Sequence, residues 1–454
     1  MPEITDTQEL INDLADGCKP DHERLIGLEH EKFMFSRSGR QLLRYSGVAS
    51  IQSLLVEMQR FGWEPTFEWD HLTGLQMEGA AITLEPAGQL ELSGKPWPDL
   101  HGVHQEMKEH RRQLSEIASE MDLAVMALGF APEWSIEGLD WMPKSRYQIM
   151  RSYMPKVGVH GLDMMARTCA LQMNFDFCSE QDMCDKYRVA MALQPLVMIA
   201  FANSPFADGR DSGFTSLRNY VWLHTDSSRC GILPAVFSSD MGFGTYVQRA
   251  LDTPMYSVER KGAHVDLAGR YFADMMKGEL QELPGDKPDM KDWHDHLNTL
   301  MHDVRLKGHL ELRGNDTLSL PDSMALAAFW TGILYDKQSL QKALEFVRGC
   351  EIGALNQLRH CLPAVGLADA VHPDVSRVYR ADSLMEALEY VAGLAEQGLK
   401  RRKKTDSHNL DESVYLEPLK RILTTGLSPA EQWRKRLHSE WGEDLGLIYE
   451  HAVF

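Results

Sequence analysis

Glu29 and Glu31, in Gly27-Leu28-Glu29-His30-Glu31-Lys32-Phe33, are the first residues whose types and spacing could do chemistry. The segment predicts a strand over Leu28 to Arg37, and positions two apart on a strand project from one face, so the two carboxylates stand side by side. Neighbouring carboxylates repel and raise each other's pKa unless a cation sits between them. Magnesium suits such oxygen donors and keeps water and substrate phosphates as its other ligands. Taken singly, the motif reads as a charged, solvent-facing edge strand.

It has company. Ala81 to Gly94 (AITLEPAGQLELSG) carries Glu85 and sets Gln89 and Glu91 two apart, with Leu90 and Leu92 turned to a core. Val304 to Arg313 (VRLKGHLELR) alternates apolar and polar residues, so one strand would align Arg305, Lys307, His309, Glu311 and Arg313 on a face. That face mixes a possible metal ligand with cations able to hold polyphosphate. Arg167 to Phe177 (RTCALQMNFDF) places Gln172, Asn174 and Asp176 together, where amides could fix the α-groups of an amino acid and Arg167 could bind a carboxylate. Ser216 to Trp222, with Arg229 further on, puts Arg218 beside an aromatic wall. Each segment alone reads as ordinary surface. Three carboxylate-bearing strands together describe an antiparallel sheet that cradles metal ions.

The elements that must position these residues follow from periodicity and punctuation. Thr7 to about Leu25 and Leu42 to Phe61 read as helices, and Gly102 to Leu128 as a long one. Phe67 to Gln76 and Glu78 to Leu92 are short alternating runs broken by Gly74, Gly79 and Gly88, as in a meander. Thr168 to Phe177 reads as a strand and Glu180 to Ala200 as a helix with a proline inside. From Pro321 onward the signals are almost all helical, including a capping Ser428-Pro429-Ala430-Glu431. Lys400 to Lys404 reads as a solvated connection between two of these helices. His294 and His296 suggest a metal hydrolase only until they are placed on a helix, where positions two apart diverge.

Composition limits the classes. The chain has 454 residues, 43% hydrophobic and 25% charged, which excludes disorder, collagen and short disulfide scaffolds. A net charge of −19 gives no global reason to expect nucleic acid or an anionic membrane as partner. The first residues show no secretory signal, and the longest apolar run, Val189 to Ala202, contains Gln194 and Pro195 and is too short to span a bilayer, so a cytoplasmic location is expected. Seven scattered cysteines without a C-x-x-C read as reduced thiols used as small hydrophobes. Neither GxxxxGK[ST] nor GxGxxG occurs, so any ATP is held without a P-loop.

Taken in order, GLEHEKF, LEPAGQLELSG, MPKSRYQIMRSYM (Met142 to Met154), GLDMMARTCALQMNFDF (Gly161 to Phe177) and VRLKGHLELRGND (Val304 to Asp316) resemble the glutamate-cysteine ligases of plants and proteobacteria. The similarity runs from roughly Gly27 to Asp336 and continues more weakly through the tail. It implies an α+β, glutamine synthetase-like fold, in which a curved antiparallel sheet floors a funnel-shaped site and helices lie outside. It further implies one elaborated catalytic domain, with a sheet-based core over about 20–335 and a helical C-terminal extension over about 336–454. The implied reaction is ATP-dependent ligation of the L-glutamate γ-carboxylate to the amino group of L-cysteine through γ-glutamyl phosphate, the first step of glutathione synthesis. Two or three magnesium ions, a monomer or homodimer, and possible feedback by glutathione go with it.

Carried over by position, the resemblance makes Glu29, Glu31, Glu91 and Glu311 metal ligands. Glu85 lies in a matching motif as a metal or substrate contact. Arg313 is the phosphate-binding arginine and, with Glu311, catalytic. Arg305, Lys307, Lys144 and Arg146 fall to polyphosphate or substrate anions. Arg218 takes the glutamate α-carboxylate, with Arg167, Gln172, Asn174 and Trp222 in the substrate pocket. No plant-style disulfide switch is expected, because no cysteine pair aligns, and His160 is expected to be local variation. The alternatives are a sibling ligase using a different amine, a metal hydrolase, and a binding scaffold with a dead catalytic half. Four clustered carboxylates argue against the last.

Overall fold

The computed structural model describes residues 2–367 and 372–454. Nine strands form one antiparallel sheet around β1 (Ile26–Phe35). β2 (Glu64–Glu68), β3 (His71–Met77), β4 (Ala80–Leu84) and β5 (Leu90–Ser93) make the expected meander on one side of it. β6 (Ala124–Met126) pairs with the far end of β1, at Phe33 to Phe35. On the other side lie β7 (Ala170–Phe175), then β9 (Leu310–Asp316) and finally β8 (Val304–Leu306). The meander turns tightly where it must: Glu78 and Gly79, between β3 and β4, both have positive φ, as a two-residue hairpin of right-handed twist requires.

Val304 to Arg313 departs from its expected single strand. It folds back at Lys307-Gly308-His309 into a hairpin, so Arg305 and Glu311 become cross-strand partners rather than neighbours along one face. Helix ends are also shorter than the periodicity predicts. α1 is Thr7–Asp16; α2 is Ile51–Met58, because Leu42 bridges to Phe35 and Ser50 supplies the cap; α3 is Leu100–Glu120, after which the chain becomes β6. α4 (Ser145–Val157) and α5 (Gly161–Arg167) lead into β7, and α6 (Glu180–Ala200) has the bounds read from sequence. α7 is Leu217–Leu223, and the tail contains α8 (Leu320–Leu334), α9 (Leu384–Arg402) and α10 (Pro429–Ser439), the last with its Ser428–Glu431 capping box.

Alternation decides which face of the sheet the helices cover. Glu29 and Glu31 of β1 are half-buried on one face; Leu28, His30 and Lys32 are buried on the other. α2 packs on β3 and α3 on β1, in one cluster with Leu90 and Leu92 of β5; α6 covers β9 and α8 covers β7, with α9 packed on α8 behind them. Each leucine-sized side chain buried there contributes about 1.5–3 kcal/mol. α8 and α9 touch through glycine, since a Cβ on Gly398 would lie 1.9 Å from the Gly332 carbonyl oxygen. The carboxylate face is thereby left open.

Lys400 to Arg402 are not a solvated connection but the last turn of α9, with Lys403 its left-handed cap. Cations there face the negative end of the helix. Arg402 pairs with buried Glu412 at 2.8 Å and Arg401 with Asp336 at 2.6 Å, so much of the basic run is committed within the fold. Among the described residues no helix is long and apolar enough to cross a membrane.

Candidate active site

The open face of the sheet floors a cavity of about 430 Å³. Register builds the floor: Glu31 sits opposite Glu91, Glu29 opposite Gln172, and Glu311 opposite Asn174. Arg305, Lys307 and Arg313 line it with cations, and Arg146 and Tyr147 of α4 line it too, with Met164, Met165 and Trp222.

Each floor carboxylate is held by a named donor. Glu31 accepts from the Ala170 backbone N–H at 2.6 Å and from Gln172 Nε2 at 3.2 Å. Glu29 accepts from Asn174 Nδ2 at 2.7 Å, and Glu91 from Thr83 Oγ1 at 2.7 Å. These donors do not neutralise the group. Burial, then repulsion from Glu311 and Glu91, pushes Glu29 up to about 7; burial, then Glu85 and Glu91, pushes Glu31 well above the usual carboxylate range; burial and Glu85 raise Glu91.

Glu311 behaves oppositely. It is almost fully buried, which by itself would raise its pKa, yet Arg305, Lys307 and Arg313 together hold it well below the ordinary value. Arg305 grips both oxygens, Nε to Oε2 at 2.5 Å and Nη2 to Oε1 at 2.9 Å, while Arg313 Nη1 reaches Oε1 at 3.1 Å. Arg313 also donates to Gln172 Oε1. Its guanidinium is therefore oriented by two acceptors while facing the cavity.

Several residues that the sequence suggested for substrate anions do not line this cavity. Arg218 is buried under Trp222, with Nη2 on the Arg313 carbonyl at 3.0 Å and Nη1 on that of Gly314 at 2.9 Å, so it braces the strand that carries Arg313. Arg167 is held by Asp163 and Asp208 and lies over Phe130. Lys144 donates to the Leu84 carbonyl at 2.9 Å, and burial, then Arg146, brings its pKa down to about 8. Asn174 reaches the site only through Glu29. His309 lies in the hairpin turn and does not line the cavity either. His294 and His296 are on the short helix Met290–Leu297 and point apart, to Asp13 and to the Ala250 carbonyl. His160 bonds Asp163.

Other residues carried no sequence signal. Thr83 and Tyr147 touch the floor and wall through chains that periodicity marks only as strand or helix. Tyr256, Ser257, His264 and Asp295 also line the cavity, from a short hairpin and a helix that lie far along the chain from the floor strands. Asp316 accepts from the Asn203 N–H, Ser204 Oγ and Ser216 Oγ, tying the end of β9 to the start of α7. All seven cysteines are free thiols.

Among the described residues no three carboxylate, histidine or cysteine side chains converge into a ready-made metal cage. The donor set nonetheless fits magnesium. That ion needs one or two carboxylates plus water and phosphate oxygens, and Glu29, Glu31, Glu85 and Glu91 present clustered hard oxygens whose repulsion a cation relieves.

An antiparallel sheet bearing carboxylates beside an arginine wall, backed by helices, defines the class: a carboxylate–amine ligase of glutamine synthetase-like architecture. The chain belongs to glutamate-cysteine ligase family 2, whose sequence model matches residues 25–451, and is therefore a ligase of the kind that joins glutamate to cysteine. The chloroplastic glutamate–cysteine ligase of Nicotiana tabacum is 40% identical over 98% of this chain and 83% of its own length, and that of Arabidopsis thaliana gives the same figures. Glutamate–cysteine ligase B of Oryza sativa subsp. japonica, also chloroplastic, is 38% identical over 100% of this chain and 88% of its own. Among solved structures, the glutamate–cysteine ligase of Francisella tularensis in complex with AMP superposes with a TM-score of 0.56 at 12% identity, covering 94% of this chain and 88% of that one. A bifunctional glutathione synthetase from Pasteurella multocida gives 0.51 at 13%, covering 97% and 53%. At such identities the two establish the fold. The relatives overturn the expected cytoplasmic location, since these plant enzymes are chloroplastic. Organellar addresses reside in removable segments, so the folded sequence does not report its compartment.

Proposed function

We propose that this chain forms γ-glutamylcysteine from L-glutamate and L-cysteine by way of γ-glutamyl phosphate, with ATP as the phosphoryl donor. The observation that carries the reading is Arg313, which faces a carboxylate floor while Gln172 and Glu311 fix its guanidinium. The reaction brings two anions together and moves a phosphoryl group between them, so positioned cations and electrostatic stabilisation are most of what the site must supply.

Glu29, Glu31, Glu85 and Glu91 would hold magnesium, which when bound neutralises phosphate charge and orients the transferring group. Arg305 and Lys307 extend the cationic wall toward the polyphosphate, and Arg146 adds a further cation to the lining. Glu311, with both oxygens in guanidinium hydrogen bonds, orients Arg305 and Arg313. Arg218 acts on the same arginine from behind, through its carbonyl. The sheet core and the helical tail work as one catalytic domain in this reading.

ADP release by the purified protein with ATP, magnesium and L-glutamate tests the reaction, with L-cysteine, L-2-aminobutyrate or ammonia added in turn. Strong stimulation by cysteine with γ-glutamylcysteine formed is expected. Stimulation by another amine alone would make it a sibling ligase, and no turnover with any acceptor would overturn the proposal.

A second test reads the carboxylates without turnover. Groups whose folded pKa is raised bind protons in the fold that the unfolded chain has already lost, so the metal-free protein should lose stability as pH rises from about 4.5 through about 7, the value of Glu29, with Glu31 adding to the loss. Millimolar magnesium should raise the melting temperature more at pH 8 than at pH 6, where protons compete for the same oxygens. An equal rise at both would count against the floor carboxylates as ligands.

A further inference from the structure

We infer that His264 is the group that deprotonates the attacking amine, a role that rests on the acyl-phosphate reading above. An amine in its ammonium form has no lone pair and cannot attack, so the second half-reaction needs a proton acceptor near the cavity. The carboxylates on the floor are the donors assigned to cations, and Asp295, which also lines the cavity, is paired with Lys291 at 2.8 Å. His264 is the one imidazole lining the cavity among the described residues.

Its setting suits the task. His264 lies on the second strand of the hairpin formed by Ser257–Arg260 and Ala263–Asp266, where register puts Ser257, Glu259, His264 and Asp266 on one face. Ser257 Oγ lies 3.1 Å from Nδ1, and no protein group bonds Nε2 among the described residues. With Nδ1–H donating to Ser257, Nε2 keeps its lone pair for the cavity. Burial lowers the pKa of His264, Glu68 opposes this, Arg146 reinforces it, and Glu259 and Asp295 oppose it more weakly; the net is a neutral ring at pH 7.

The step balances. The ammonium nitrogen gives one proton to Nε2, and its lone pair then bonds the γ-acyl carbon. The acyl C–O bond to phosphate breaks, and the phosphate leaves with that electron pair. The second proton on nitrogen leaves with the phosphate, and His264 returns its own to solvent.

Hydroxylamine separates this step from activation, because it is unprotonated at neutral pH and attacks acyl phosphates without a base. In His264→Ala at pH 7, cysteine-dependent turnover should fall about 10²–10⁴-fold. γ-Glutamyl hydroxamate formation with ATP, magnesium and glutamate should stay within about twofold of wild type, and the cysteine deficit should shrink as pH rises and free amine accumulates. Ser257→Ala should show a weaker form of the same split. Equal losses with both acceptors, or no loss with cysteine, would overturn the assignment. A wild-type protein that makes no hydroxamate would instead bring down the acyl-phosphate reading, and the proposal with it.

Discussion

Replacing Arg313 with alanine is expected to lower kcat by about three orders of magnitude, or about 4 kcal/mol of transition-state stabilisation. The effect is large because the guanidinium is fixed before reaction. Gln172 Oε1 and Glu311 Oε1 orient it, and Arg218 holds its backbone carbonyl at 3.0 Å. A preorganised cation stabilises charge as it develops on the transferring phosphoryl group without reorganising. Stability should change little, because Glu311 keeps the bidentate Arg305 when Arg313 is gone. Arg313→Lys keeps the charge but loses the planar fork, so it should recover only part of the rate. Steady-state ADP release with cysteine as acceptor measures this. A raised KM for ATP with kcat unchanged would reduce Arg313 to a ground-state contact.

How much of this was legible before the fold depended on whether a residue's role was local. Glu29, Glu31 and Glu91 lie on strands whose two-residue period is written directly in sequence, and the sheet places them where that period says. Helix α6, Glu180 to Ala200, was readable as a long helical segment despite its proline, and Ser179 caps it. The segment around Glu311 misled because alternation persists across a tight turn: Lys307-Gly308-His309 keeps the period while reversing the chain. Arg218 and Arg167 misled differently. An arginine near an aromatic looks the same in sequence whether it faces substrate or braces a carbonyl, and only the partners decide. His264 left no trace, because its hairpin is short and far along the chain from the strands that carry the carboxylates, and nothing local ties it to them.

Arg305→Ala is expected to cost about 3–5 kcal/mol of stability, the largest loss of any single change at the site. Arg305 and Glu311 face each other in register on β8 and β9, both almost fully buried, with two hydrogen bonds between them. The guanidinium also donates to the carbonyls of Asn298 and Leu300, at 2.5 and 3.1 Å, joining the hairpin to the chain beyond the Met290–Leu297 helix. Removing it leaves a buried carboxylate facing only Arg313 and Lys307, with two carbonyls orphaned. The double variant Arg305→Ala with Glu311→Ala should therefore be more stable than Arg305→Ala alone, because the uncompensated charge goes with its partner. Acid gives a further check. Glu311 has a depressed folded pKa, so its contribution is fully present above the unfolded carboxylate value, about 4.3, and is lost as pH falls through the folded one. The gap between wild type and Arg305→Ala in urea unfolding should narrow along that descent. A gap below about 1 kcal/mol at neutral pH would mean that water reaches the pair and screens it like a surface bridge.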